Sequence, residues 1–171
     1  MRAREGARNR PPETPKPDKA TAKRLRRSGA VVHAALADGR WLGVAIDHLL
    51  VLGEEDVEFS RPWTDAESAV WDGDSRTLTV RWVDGSEPSA FRTATDDVFD
   101  AVTAVRERIT TSQVHVEIMG TSAGDVRALI RRGAGGQLFS QLLARGPLTE
   151  DERRRADELE RTARSAVGLV D

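Results

Sequence analysis

Residues 120–124 carry the chain's most recognisable nucleophile-like motif. Gly120, Ser122 and Gly124 have the G-x-S-x-G spacing of a nucleophile elbow, a sharp strand-to-helix turn that exposes a serine hydroxyl. That chemistry needs a helix after the turn and a histidine base later in the chain. No histidine follows His115, and the segment after Gly124 has the pattern of a strand. We therefore predict an ordinary loop of small residues here, and no catalytic residue.

Three histidines and no cysteine restrict the available metal chemistry. His115 and Glu117 form an H-x-E sequence, but the zinc deaminases that use this sequence supply two cysteines as further ligands. Strand alternation places both side chains on one face, where they most simply contact water. His33 and His48 are too few, and too undetermined in relative position, to complete the three protein ligands of a catalytic zinc. The sequence predicts no metal and no cofactor; the alternative is a nonstandard site assembled in space.

Two arginines lead into a glycine-rich turn. Arg131 and Arg132 precede Gly133-Ala134-Gly135-Gly136, whose backbone N–H groups are suited to an anion-binding nest. The turn lacks the Lys-Ser/Thr pair of a P-loop and the helix that follows a dinucleotide-binding turn. A hairpin turn with a solvated basic approach is the favoured interpretation.

A second candidate contact lies at Arg61-Pro62-Trp63, which interrupts two predicted strands. Tryptophan and arginine in loops are enriched at protein interfaces, so Arg61 and Trp63 are candidate contacts for a protein partner. The alternative for Trp63 is a lid over the apolar end of the fold. The other tryptophans are predicted to pack in the core, because their surroundings are acidic or mixed and lack the basic lining of a nucleic-acid groove.

The amino-terminal segment is strongly basic. Residues 1–27 carry ten basic and three acidic side chains, whereas the rest carries 16 and 25. Four prolines and no aromatic residue lie in this segment, so we expect it to be disordered. Its last cations, Lys23, Arg24, Arg26 and Arg27, are candidate contacts for phosphate groups of nucleic acid or for an anionic membrane. The alternative is a solubilising tail that folds back loosely onto the acidic body or has no binding role.

The body of the chain is divided by a change of periodicity. Short apolar runs with turn residues every eight to twelve positions predict an antiparallel all-β unit up to about residue 92. Asp38-Gly39 and Asp84-Gly85 are typical hairpin turns. The seven predicted strands are 30–36, 40–46, 48–52, 56–60, 66–71, 76–83 and 88–92. Apolar residues at helical spacing from Val98 to Ile109 then predict an amphipathic helix of about 14 residues.

Seven strands and a terminal helix resemble the pleckstrin-homology-like (PH-like) domain. The strand count, the Asp84-Gly85 hairpin and the helix that begins at Asp96 support the resemblance, which covers residues 29–110. It implies a seven-stranded antiparallel barrel with one end capped by the helix. Members of this family bind lipids, peptides or proteins, or serve as scaffolds, so the resemblance names no single function.

A second unit follows the helix. Strand-like segments 114–118, 126–132 and 137–144 predict a three-stranded meander. A capping box of Thr149 and Glu152 predicts the start of a last helix, which Gly168 would end. Arg127, Arg131, Arg132 and residues 138–141 (Leu-Phe-Ser-Gln) also resemble an uncharacterised group of small proteins from high-GC bacteria. That resemblance implies a PH-like unit joined to this C-terminal unit, and no function.

Together these features predict an α+β protein with a basic tail (1–27), a PH-like barrel with its helix (28–111), and a meander with a C-terminal helix (112–171). The two folded units either share one apolar core or have two separate cores. We expect a non-catalytic interaction or scaffold module that binds a protein through a strand edge or beside the 96–109 helix. The alternative is an accessory protein whose basic tail binds nucleic acid or anionic membrane. The tail lacks the apolar run of a secretory signal, so a cytoplasmic location is expected.

Overall fold

The structure, a computed structural model, describes residues 13–169, which form three helices and three antiparallel sheets. The helices are α1 (Lys19–Arg27), α2 (Phe99–Ser112) and α3 (Glu150–Ala166). The strands are β1 (Ala30–Ala35), β2 (Trp41–Ala45), β3 (His48–Leu52), β4 (Val57–Pro62), β5 (Ala66–Asp72), β6 (Thr77–Trp82), β7 (Ser89–Arg92), β8 (Gln113–Thr121), β9 (Gly124–Arg132) and β10 (Leu138–Ala144). None of the three helices in residues 13–169 combines the length and the apolar composition that a membrane-spanning helix needs.

The first two sheets are consecutive hairpins. β1 to β4 pair in chain order, and β5 to β7 do the same. Gly39 and Gly85 adopt positive φ angles of 89° and 72° in the predicted hairpin turns, a conformation that costs glycine little. Leu78, Val80 and Trp82 on β6 are all buried, as the alternation in the sequence predicts.

The predicted seven-stranded barrel is wrong. In the described residues the seven strands form two separate open sheets, of four and three strands, and β4 is not paired with β5. Pro62 has no N–H to donate to a ladder, and a 3₁₀ turn at Trp63–Asp65 redirects the chain between the two strands. On the other side, within residues 13–169, the two sheets meet only around an isolated bridge between Leu36 and Thr93. Closure of a barrel needs continuous ladders at both seams, so these sheets stay open.

The main core lies between these two sheets and α2. Helix α2 buries Val102, Val105 and Ile109 against residues that include Leu49 and Val80. The sequence predicts this stripe from its spacing, although the helix begins three residues after the predicted start at Asp96.

Helix α1 overturns part of the predicted disordered tail. Residues 19–27 are helical, and the Asp18 side chain caps the helix by accepting a hydrogen bond from the Thr21 N–H. Leu25 is only 1% exposed and packs on the outer face of the first sheet, against Leu50 and Leu52. One buried leucine and a cap therefore order a segment whose composition indicated disorder. The expectation for residues 1–12 lies outside the described residues.

The third sheet is a meander with strand order β10-β9-β8, and α3 packs on one of its faces. Its apolar cluster, built around Ala128, Ile130 and Ala163, is distinct from the main core. Arg131 joins the two parts. Its fully buried guanidinium donates to the Ala66 carbonyl and the Ser112 hydroxyl, both at 2.8 Å, and to Gln141 Oε1 at 3.1 Å.

Candidate functional site

The serine motif lies in a tight turn between β8 and β9. A strand follows Ser122 where a nucleophile elbow needs a helix. The Ser122 backbone N–H donates to Glu152 Oε1 at 2.7 Å, and this contact ties the turn to the first turn of α3. The geometry is that of a structural loop.

The histidines lie on three different strands, β1, β3 and β8. His48 contacts its neighbour Asp47, with 2.5 Å between Nδ1 and Oδ1. His115 Nε2 lies 2.9 Å from Glu117 Oε1 on the same strand. Within residues 13–169 no three His, Asp or Glu side chains are grouped so that they could hold a metal ion.

The two predicted partner contacts are used inside the fold. Trp63 is 3% exposed, and its indole N–H donates to the Ala45 carbonyl at 3.1 Å. Arg61 lies 4.2 Å above the centroid of the Trp82 ring and donates to Asp84 Oδ2 at 2.7 Å. Trp63 therefore closes the end of the core and presents no exposed indole, and Arg61 braces a turn. Hydrogen bonds from Ser86 and Arg61 lower the pKa of Asp84 to about 2, which keeps the pair charged.

The four basic candidates on α1 differ in their surroundings. Arg24 is half-buried, and its guanidinium donates to the carbonyls of Gly53 and Glu54. Lys23, Arg26 and Arg27 are exposed, and their side chains have no hydrogen bond or ion pair to any described residue. Arg24 thus anchors the helix, while the other three remain accessible to an anion.

A groove that the sequence did not single out lies between β1 and the start of α2. This β1–α2 groove is lined by residues 31–33 and 97–101 and has a volume of about 350 Å³. Val31 and Phe99 are 57% and 78% exposed, and Asp97 and Asp100 provide carboxylates. Burial lowers the pKa of His33, which stacks edge-on against Trp41 with 5.6 Å between ring centroids. The sequence contains a local signal for this groove, because Phe99 is an apolar residue that does not fit the helical spacing of the buried apolar residues in α2.

A smaller cavity forms where the sheets and α2 converge. This junction pocket has a volume of about 250 Å³, and its lining includes Ile46, Asp47, Trp63, Arg108 and Arg132, with part of the Gly133–Gly136 turn. The fold therefore brings the glycine-rich turn, for which an anion-binding nest was the less favoured interpretation, beside the Arg61-Pro62-Trp63 segment, although about 70 residues separate them.

Comparisons with known proteins give one weak structural similarity. No protein-family model and no curated protein matches the chain. A solved structure, the complex of the FERM and C-terminal domains of Drosophila Merlin, is similar with a TM-score of 0.38 and 18% sequence identity. The match covers 53% of this chain and 33% of that chain, so this protein spans about a third of that structure's length. A similarity at this level carries no argument, and the PH-like resemblance and the bacterial group stay sequence-based predictions.

Proposed function

We propose that the protein is a non-catalytic interaction module that binds an extended segment of a protein partner in the β1–α2 groove. The observation that carries the proposal is a free stretch of strand edge beside two exposed apolar side chains and two carboxylates. Extended peptides bind in this way by adding a strand to a sheet, with main-chain hydrogen bonds for affinity and side-chain pockets for specificity.

The hydrogen bonds around β1 show which part of its edge is open. The Leu36 N–H donates toward β2, to the Arg40 carbonyl, whereas the Ala35 carbonyl accepts from the Ala94 N–H on the opposite edge. Because backbone groups alternate along a strand, His33 also directs its N–H and C=O away from β2. The chain after β7 covers this edge at Ala35 and then turns into α2, which leaves the edge uncovered at His33.

The side chains around this edge define the partner segment. Val31 and Phe99 offer apolar surface on either side of the edge, and burial of a Phe side chain contributes about 1.5–3 kcal/mol. Asp97 accepts a hydrogen bond from the Thr14 hydroxyl at 2.6 Å, and neither Asp97 nor Asp100 has an ion pair to a described residue. We therefore expect an extended segment that alternates apolar residues with at least one Lys or Arg.

The test uses a displayed library of random twelve-residue peptides selected on the full chain. His33→Pro removes the free N–H, and proline is tolerated on a strand edge whose N–H faces away from the sheet. We expect His33→Pro to abolish binding of the selected peptides and His33→Ala, which keeps the N–H, to retain it. Phe99→Ser is expected to weaken binding about tenfold.

Val70, 57% exposed on β5, supplies the matched control for Phe99. The Val70→Ser variant removes a comparable apolar side chain away from the groove and should leave affinity unchanged. Peptides that bind the His33→Pro variant as tightly as the native chain would refute strand addition at this edge.

A second candidate function is polyanion binding by α1, and the structure offers one observation that favours it. Lys19, Lys23, Arg26 and Arg27 are exposed at i, i+4, i+7 and i+8, the spacing of one helix face. The helix contains no acidic residue, and none of these four cations has a partner among the described residues. Such a cationic face binds nucleic-acid phosphates or anionic lipid with a strong dependence on salt.

This second candidate is tested by two variants of equal charge. Lys23→Gln/Arg27→Gln removes two cations from α1, and Arg155→Gln/Arg161→Gln removes two from exposed positions of α3. Binding to duplex DNA, RNA and vesicles of anionic lipid is measured for each variant over a salt series. We expect only the α1 variant to lose affinity and salt dependence; equal losses in both would indicate nonspecific charge attraction and refute a site on α1.

A further inference from the structure

We infer that the junction pocket binds an oxyanion attached to an apolar group. Examples are the C-terminal carboxylate of a chain that ends in an apolar residue and the phosphate of a phosphorylated aromatic residue. This site is separate from the β1–α2 groove and does not depend on the function proposed for it. The inference rests on the charges, the walls and the rigidity of the pocket.

Two arginines whose side chains have no ion pair to a described residue line the pocket from different elements. Arg108 comes from the last turns of α2, and Arg132 comes from the end of β9. Neither guanidinium has a hydrogen bond or an ion pair to a described residue. Arginine binds carboxylate and phosphate through paired N–H donors, so the two side chains offer an oxyanion donors from two sides.

One opposing charge lies in the lining. Asp47 is about half exposed and contacts His48, whose hydrogen bond lowers the pKa of the Asp47 carboxyl. The carboxyl is therefore ionised near neutral pH, and the lining keeps one net positive charge. A carboxylate, with one negative charge, matches that balance, whereas the phosphate of an aromatic residue carries about −1.5 to −2 near neutral pH.

Part of the remaining wall is apolar, and Thr64, Thr111 and Ser112 add hydroxyl groups to it. Ile46 is 68% exposed at the rim, and Pro62 and the ring of Trp63 form part of the floor. The Trp63 N–H is already bound to Ala45, so the ring offers the pocket only apolar contact. The volume of about 250 Å³ exceeds the roughly 150 Å³ of a cavity that holds benzene. The pocket therefore has room for an aromatic or branched apolar group next to the oxyanion.

Arg131 keeps these walls together. Its hydrogen bonds to Ala66, Ser112 and Gln141 fix the end of β9 to the start of β5 and the end of α2. Alternation along β9 then directs Arg132 away from Arg131 and toward solvent, and Arg132 is exposed. The pocket is thus formed in the free protein, which lowers the entropic cost of binding.

The test is a titration of the ¹⁵N-labelled full chain followed by NMR. The probes are N-acetyl-L-phenylalanine, its neutral amide, and phenyl phosphate. We expect the two anions to cause saturable shifts at the amides of Gly133, Ala134 and Gly136 and at the Trp63 indole N–H, and the amide to cause none. Tighter binding of the carboxylate or of the phosphate tells which oxyanion the site prefers.

Substitutions test whether Arg108 and Arg132 bind the oxyanion. We expect Arg108→Gln and Arg132→Gln each to weaken binding about tenfold, the loss of a hydrogen bond to a charged group. Asp47→Asn should strengthen binding, and Arg106→Gln, an exposed position on the same helix, should leave it unchanged.

Either of two results would overturn the inference: saturable binding of the neutral amide to the native chain, or equal weakening by Arg106→Gln. The comparison of carboxylate and amide uses the native chain, so it decides the question even where a variant fails to fold.

Discussion

The Glu152 carboxylate accepts hydrogen bonds from two parts of the chain, the N-cap of its own helix and the turn between β8 and β9. Its Oε1 accepts from the Ser122 N–H at 2.7 Å, and its Oε2 accepts from the Thr149 N–H at 2.9 Å. These hydrogen bonds lower its pKa from an ordinary 4.5 to about 2. The capping box with Thr149 was predictable, because three residues separate its members, and the structure confirms it. The contact with Ser122 crosses 30 residues and has no local signal.

The depressed pKa predicts a pH dependence of stability. Because the folded state binds the Glu152 proton more weakly than the unfolded state does, the carboxylate favours folding above its ordinary pKa of 4.5. That contribution is lost as the pH falls toward the folded pKa of about 2. We expect Glu152→Gln to be less stable than the native chain near neutral pH and the difference to shrink between about pH 5 and pH 2. Urea unfolding at several pH values measures it.

Glu150 is the control for this prediction. It lies in the same helical turn but is exposed, so Glu150→Gln should change stability little at any pH. A stability difference for Glu152→Gln that stays constant with pH would show that the hydrogen bonds do not depend on the charge.

Residue type alone was a poor guide to the exposure of Trp63, and a partner contact at Arg61 stays a prediction. Their identities and loop position indicated an interface, yet the fold buries the Trp63 ring and uses Arg61 to brace the Asp84 turn. Both contacts come from residues about 20 positions away. The large aromatic side chain that is exposed is Phe99 instead. The sequence pattern places Phe99 in the helix, but it does not show which face of the helix the rest of the fold leaves open.

At the scale of elements, the local patterns carried most of the information. Strand positions agree with those predicted to within a few residues, because alternation and hairpin turns are encoded locally. The hairpin at residues 133–136 is confirmed by the antiparallel pairing of β9 with β10. The division into separate sheets was not predictable in the same way, since it depends on which strand ends meet across the core.

Helix α1 is the element for which composition misled. Its apolar contact with the sheet is nearly confined to Leu25, so this side chain determines whether the helix is docked. Leu25→Ala removes a fully buried leucine, a change that costs about 2–5 kcal/mol. We expect the loss to appear as local opening, with residues 19–27 losing amide exchange protection while β6 keeps its own.

The control for α1 is Lys23→Ala, which changes an exposed residue of the same helix and should leave exchange protection intact. Amide hydrogen exchange read by mass spectrometry resolves the two segments. Uniform loss of protection in α1 and β6 would contradict local opening and show that the helix is part of the global folding unit.

At the scale of the whole molecule, two apolar clusters are joined largely through polar contacts. The main core occupies the first two sheets and α2, and a second cluster lies between the meander and α3. Gln141 donates to the Thr64 carbonyl at 3.2 Å, and Arg145 pairs with Glu67. Arg131 supplies the buried part of this connection. Its role was hidden in the sequence, where it is one of two adjacent arginines before a turn.

Arg131→Met therefore tests whether the two parts unfold together. The substitution leaves the Ala66 carbonyl and the Ser112 hydroxyl without a buried donor, and we expect the free energy of unfolding to fall by about 2–3 kcal/mol.

All four tryptophans lie between residues 41 and 82, so their fluorescence reports only the first two sheets, whereas far-UV circular dichroism reports every element. In the native chain the two urea transitions should coincide. In Arg131→Met the dichroism transition should begin at a lower urea concentration than the fluorescence transition, because the meander and α3, no longer held by Arg131, unfold before the first two sheets. Arg132→Met, one residue along and exposed, should keep the transitions coincident; coincident transitions at an unchanged midpoint in Arg131→Met would show that Arg131 does not couple the two parts.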